Sequence, residues 1–130
     1  MRLLLDTHIF LWSTSEPERL SPGWAVIVAS REHEIFLSIA SIWEIAIKVG
    51  AGKLDFPLHE FEKTLARLEI KVLPITLAHA LRAGMLPRLH TDPFDRMLVA
   101  QAVSEGLALM TVDREMAKYE VPILAATGLN

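Results

Sequence analysis

The sequence predicts a three-layer α/β/α domain built on a parallel sheet. Two observations carry that expectation. Short apolar runs alternate with longer helical patterns along the chain, and the runs are continuous in Leu, Ile and Val instead of alternating with polar residues, as in strands buried on both faces. With 130 residues, 52% of them hydrophobic, one domain over 1–130 is the natural reading, and a chain of this length builds a core without covalent staples.

The elements follow in order. Residues 2–5 form the first strand, an unbroken Leu run after Arg2 that ends at Asp6. Ser21-Pro22 announces a helix to about residue 31, with Ser as N-cap and Pro in the first turn. Residues 35–37 are a second strand. Ser38 caps the helix that follows to about residue 49, closed by Gly50 and Gly52. A helix over about 58–68 is amphipathic, with Phe61, Leu65 and Leu68 on one face. A third strand is predicted over 72–75, a helix over 77–83 and a loop over 85–91. Asp92-Pro93 then opens a helix to about residue 105, stopped by Gly106. Residues 107–111 are a fourth strand, 114–118 a short helix and 122–124 a last edge strand.

Composition excludes several classes of function. Without cysteine there is no disulfide, thiolate zinc site or Cys nucleophile, which fits a reducing compartment. Leu3-Leu4-Leu5 begins like a secretory leader, but Asp6 ends it short of the roughly 7–15 apolar residues required. No uncharged stretch approaches the roughly 18 residues of a membrane span, so a cytoplasmic protein is expected. A net charge of −3 argues against binding nucleic acid through bulk positive charge.

The informative residues are the carboxylates. Of five Asp, four fall at junctions: Asp6 after the first strand, Asp92 and Asp95 at a helix start, and Asp113 just after the fourth strand. In an open parallel sheet, functional groups gather beyond the carboxyl ends of the strands, so Asp6 and Asp113 share the correct edge. Glu44 is the fourth candidate, a lone acid in a helix apolar on nearly every side. Each has a structural reading as well. Asp92 and Asp95 suit an N-terminal cap, Glu44 and Lys48 an i,i+4 pair worth about 0.2–0.5 kcal/mol, and Asp6 and Asp113 turns after strands. Together they would need neutralising, since two carboxylates about 4 Å apart repel by roughly 4 kcal/mol at an effective dielectric near 20. A cation or protonation answers that repulsion, and oxygen-only ligands suit Mg2+ or Mn2+.

Four blocks then resemble the PIN-domain ribonucleases, and among them the VapC toxins of bacterial and archaeal toxin–antitoxin pairs. They are Leu3-Leu4-Leu5-Asp6-Thr7-His8, Ser41-Ile42-Trp43-Glu44-Ile45-Ala46-Ile47-Lys48, Asp92-Pro93-Phe94-Asp95-Arg96-Met97-Leu98-Val99-Ala100-Gln101-Ala102 and Thr111-Val112-Asp113-Arg114. The third is the most specific, and the blocks span essentially the whole chain in family order. The resemblance implies a parallel five-stranded sheet and a pocket in which Asp6, Glu44, Asp95 and Asp113 hold Mg2+ or Mn2+. Thr111 supports that pocket in the family pattern. Asp92 lies outside the quartet, as a cap or a fifth ligand. The implied activity is endoribonucleolytic hydrolysis of RNA, with a VapB-type antitoxin as partner and a homodimer as assembly. A carboxylate-held cation activates water and neutralises the phosphoryl oxygens, so an acidic protein can handle a polyanion locally. Arg96 and Arg114 follow proposed ligands, where they contact phosphate or pair with the neighbouring acids.

Other features carry less. Gly50-Ala51-Gly52-Lys53-Leu54 fails the phosphate-loop pattern, with Ile47 at the first Gly position and Leu54 at the Ser/Thr position. His8, His33, His59, His79 and His90 show no helical pairing, which argues against zinc, and His8 either lines the pocket or packs. The three Trp read as core or interface, and the high apolar content suggests surface covered by another subunit or a partner peptide. Two competing functions remain on this reading: a non-catalytic α/β module that binds protein or RNA, and a metal phosphatase using the same acidic cup. The complete quartet disfavours the first, and the lack of a phosphate loop and of an Asp-x-Asp nucleophile pattern disfavours the second.

Overall fold

A computed structural model describes residues 1–121 and 123–125. Five strands, β1 (Arg2–Leu5), β2 (Glu34–Ser38), β3 (Ile70–Leu73), β4 (Ala108–Thr111) and β5 (Ile123–Ala125), form one sheet in the order β3-β2-β1-β4-β5. Every neighbouring pair is parallel. The helices are α1 (Thr7–Ser15), α2 (Pro22–Ala29), α3 (Ile39–Gly50), α4 (Phe61–Arg67), α5 (Leu77–Met85) and α6 (Pro93–Glu105), with 3-10 turns at Pro17–Arg19, Leu58–Glu60 and Met116–Lys118. The expected class and five-stranded parallel sheet are those observed. Pro122, included in the expected last strand, lies outside the described residues.

The alternation of side chains along β1 divides the core in two. Leu3 and Leu5 face one way, packing with Ile9 and Phe10 of α1, Trp24 of α2, Ile45 of α3 and Phe61 of α4. Leu4 faces the other way, against Leu98, Val99 and Ala102 of α6 and Leu109 of β4. After the exposed Arg2, the central strand is therefore apolar at each of Leu3, Leu4 and Leu5, because both of its faces are covered there.

Local signals explain most boundaries. Ser21 Oγ accepts the Trp24 amide and Ser38 Oγ the Ala40 amide, as N-cap residues do. Two elements differ from expectation. The third strand runs two residues earlier than predicted, because Pro74 has no amide to give to a ladder and ends the strand at Leu73. Helix α1 lacks a readable start: Thr, Ile, Phe and Ser are indifferent helix formers, and Asp6 stands at its N-cap position without capping it. Burial of Ile9 and Phe10 drives that helix instead.

Chain order places the functional edge. The strand order reverses at β1, which has β2 on one side and β4 on the other, so the carboxyl ends of β1 and β4 flank a topological switch point. The Asp6 amide extends that pairing, donating to Met110 O at 2.9 Å. Gly106 makes the turn from α6 into β4 at φ 66°, in the left-handed region, with no atom within 4 Å of an added Cβ. Gly106→Ala therefore costs conformational strain alone, and urea unfolding should show a loss of about 1 kcal/mol.

Candidate active site

The site grows from four chain segments: the ends of β1 and β4, the start of α6 and helix α3. Asp6 is 3% exposed and follows β1 directly. Its Oδ2 accepts the Thr111 hydroxyl at 2.6 Å, and the same hydroxyl accepts the Asp113 amide at 3.0 Å. Asp113 Oδ1 in turn accepts the Glu115 amide at 2.8 Å, which fixes the turn after β4.

The N-terminus of α6 brings the next group. Asp92 is its N-cap, its Oδ1 accepting the Asp95 amide at 3.1 Å. That leaves the Asp95 carboxylate free to face the cluster. Its Oδ2 lies 3.0 Å from His90 Nε2, and Asp113 Oδ2 lies 3.2 Å from the same nitrogen. His90, Asp95 and Asp113 each offer a donor atom within 4.8 Å of the others.

Glu44 arrives from α3. It is 7% exposed, one turn beyond Ser41, whose hydroxyl accepts that of Thr7 at 2.8 Å beside Asp6. Glu44 Oε2 pairs with Lys48 Nζ at 3.1 Å, the expected i,i+4 contact, while Oε1 is buried with no hydrogen-bond partner. Glu44 is not one of the three groups that share the 4.8 Å cluster, and neither is Asp6. Asp6 is nonetheless electrostatically coupled to Asp95 and Asp113.

Burial and crowding govern the charges. Burial pushes the Asp6 carboxyl up from its ordinary value, opposed by the Thr111 hydrogen bond. Burial, then the negative charges of Asp6 and Asp92, pushes Asp95 up to about 7. For His90, burial alone would favour the neutral ring, but the Asp113 hydrogen bond and the charges of Asp95, Asp113 and Asp92 outweigh it and raise its pKa. The Asp92 amide donates to His90 Nδ1 at 3.1 Å, so the ring as it stands is neutral with its proton on Nε2.

Two residues prove different from their sequence reading. Arg96 touches no carboxylate of the cluster among its hydrogen bonds. Its guanidinium donates to the carbonyls of Ala83, Leu86, Pro87 and His90 and to Tyr119 Oη, holding the loop that carries His90. His90 shows no helical pairing with another histidine, yet from the loop between α5 and α6 it joins the acidic cluster. Its partners lie five and twenty-three residues away, and the one local signal is the run His90-Thr91-Asp92-Pro93-Phe94-Asp95. His8 is exposed and stacks obliquely on Trp12, at 6.3 Å between ring centroids.

The PIN domain family profile matches residues 3–122. The chain belongs to the PIN domain family. It is 30% identical over 125 residues to Ribonuclease VapC22 of Mycobacterium tuberculosis (strain ATCC 25618 / H37Rv), covering 92% of this chain and 93% of that one. Its fold is similar to that of VapBC2 from Rickettsia felis bound to a promoter DNA fragment, at a TM-score of 0.71 and 14% identity over 95% of this chain and 97% of the other. A toxin–antitoxin complex from Klebsiella pneumoniae is similar at a TM-score of 0.64 and 21% identity over 94% and 96% of the two chains. No helix among the described residues of this PIN domain is long and apolar enough to cross a membrane.

The residues of this PIN domain fit a hard divalent cation. Carboxylate oxygens dominate the donor set, and a buried Glu44 oxygen lacks any partner. Asp95, crowded by the other acids, holds its proton to about pH 7. The sign of the resulting pH dependence follows. Asp95 keeps in the folded state a proton that the unfolded chain releases near its ordinary value of 3.8, so folding stability falls as pH rises from there to about 7. Melting of the metal-free protein should show this decline, and added Mg2+ or Mn2+ should reverse it at the alkaline end; a rise in melting temperature over the same window contradicts the assignment.

Proposed function

We propose that this PIN domain, a single unit over 1–130, is a metal-dependent endoribonuclease of the VapC toxin kind, cytoplasmic and neutralised by a cognate VapB-type antitoxin. The observation that carries the reading is the meeting of Asp6, Asp95 and Asp113 at one sheet edge, with the buried and half-unpartnered Glu44 on the helix beside it. The relation to Ribonuclease VapC22 supplies RNA as substrate. The likeness to a toxin–antitoxin complex supplies the partner.

Asp6, Glu44, Asp95 and Asp113 would hold Mg2+ or Mn2+, which supplies water activation and charge neutralisation at the scissile phosphate. The residues of the chain do the rest. Thr111 orients the Asp6 carboxylate and, through the Asp113 amide, fixes the turn that carries Asp113. Asp92 caps α6 and so presents Asp95 from the first turn. Arg96 supports the site at one remove, through the 86–90 loop. Large apolar side chains stand in solvent on α3 (Trp43, Ile47) and on α5 (Leu77, Leu81, Met85), which fits a homodimer or an antitoxin peptide covering them.

The test is expression alone and together with the antitoxin, sequencing RNA ends in each case. New discrete ends should appear with the protein alone and vanish with the antitoxin. Asp95→Asn should lower cleavage by about 10²–10³-fold with an unchanged circular dichroism spectrum. Full activity in folded Asp95→Asn removes the proposal. Separately, Glu44→Gln should abolish the rise in melting temperature on adding Mn2+, whereas indifference of the wild-type protein to metal favours a non-catalytic binding module.

A further inference from the structure

His90 is held where a cation would be expected to sit. Its backbone is pinned: the amide donates to Tyr119 Oη at 2.9 Å, and the carbonyl accepts Arg96 Nη1 at 3.4 Å. The ring then spans two carboxylates, with Nε2 at 3.0 Å from Asp95 Oδ2 and 3.2 Å from Asp113 Oδ2. Two negative groups converging on one point need a positive or donating group between them. In this fold an N–H provides it.

The opposite ring nitrogen decides what His90 can offer. Nδ1 accepts the Asp92 amide at 3.1 Å, so it carries no proton, and the proton of the neutral ring is on Nε2. A metal-ligating imidazole needs a lone pair on the coordinating nitrogen and donates through the other. Here the arrangement is reversed: Nε2 faces the acids as a donor, and Nδ1 is already engaged. Direct ligation through Nε2 would turn Nδ1 into an N–H pointing at another N–H.

Room exists for the ring to leave. His90 also lines an open groove of about 380 Å³ with Gly84, Arg88, Thr91 and Arg96. Because the backbone is pinned, that movement is a rotation of the side chain alone.

We propose that His90 is a built-in stand-in for the divalent ion: in the metal-free protein its Nε2–H bridges Asp95 and Asp113, and the ion binds after the ring has turned out of that bridge. This rests on the metal-binding reading of the site. The consequence is that His90 lowers metal affinity, where a ligand would raise it. Removing the competing donor frees the ion from displacing one charge-assisted hydrogen bond, an effect of roughly tenfold in affinity.

Calorimetric titration of Mg2+ into wild type, His90→Ala and His90→Gln at pH 8 tests this. His90→Ala should bind the ion roughly tenfold more tightly, while its metal-free form melts at a lower temperature. His90→Gln, which keeps an uncharged donor at similar reach, should stay near wild type. Weaker or unchanged binding by His90→Ala overturns the inference. A second measurement needs no variant: nitrogen-15 spectra of the wild-type ring should show a protonated Nε2 without Mg2+ and altered ring resonances at saturation, with Nε2 still protonated. A proton transferred to Nδ1 on saturation marks direct ligation and overturns it. Failure of the wild-type protein to bind Mg2+ at all removes the metal reading itself, whereas binding without a gain in His90→Ala removes only this inference.

Discussion

One hydroxyl group joins the two ends of the chain at the site. Thr111 donates to Asp6 across 105 residues of sequence and accepts the Asp113 amide, so a single side chain orients two acids. The contact depends on the register of β1 and β4, in which Leu5 lies opposite Met110 and the next positions are Asp6 and Thr111. A slip of one residue would turn Thr111 to the other face of the sheet and leave Asp6 buried without its donor. The geometry of the site is thus a consequence of strand pairing.

The same convergence creates the electrostatic problem that the site has to solve. Asp95 occupies the first turn of α6, where the helix dipole favours negative charge by about 0.3–1 kcal/mol. Burial and the neighbouring acids outweigh that benefit, as its raised pKa shows. The protein meets the strain in three ways: a hydroxyl on Asp6, a backbone amide on Asp113, and the His90 N–H between Asp95 and Asp113. Two of these donors are side chains from elements distant in sequence. Arg96 and Tyr119 contribute indirectly, by fixing the loop from which His90 reaches in.

Much of this was legible in the chain itself. Apolar runs marked the sheet, Ser21, Ser38 and Asp92 marked helix starts, and Gly106 marked a stop, because these signals act over a few residues. Asp6, Asp95 and Asp113 were legible as site candidates because each follows a strand or opens a helix. Helix α1 was not, since tertiary burial rather than propensity forms it and the residue at its N-cap position bonds across the sheet instead. Arg96 was read from its neighbour in sequence, whereas its side chain extends away to the carbonyls at the end of α5.

Sequence alone therefore determined the class of the fold, the order of its elements other than α1, and which acids stand at strand ends and at the start of α6. Periodicity, capping and turn chemistry are local properties, and an apolar strand with an acid at its end states its position without reference to the rest. Tertiary structure alone decided which groups touch: Thr111 with Asp6, Ser41 with Thr7, and His90 with Asp95 and Asp113. Those contacts arise from strand order and helix packing, which bring together residues whose separation in the chain carries no periodic signal.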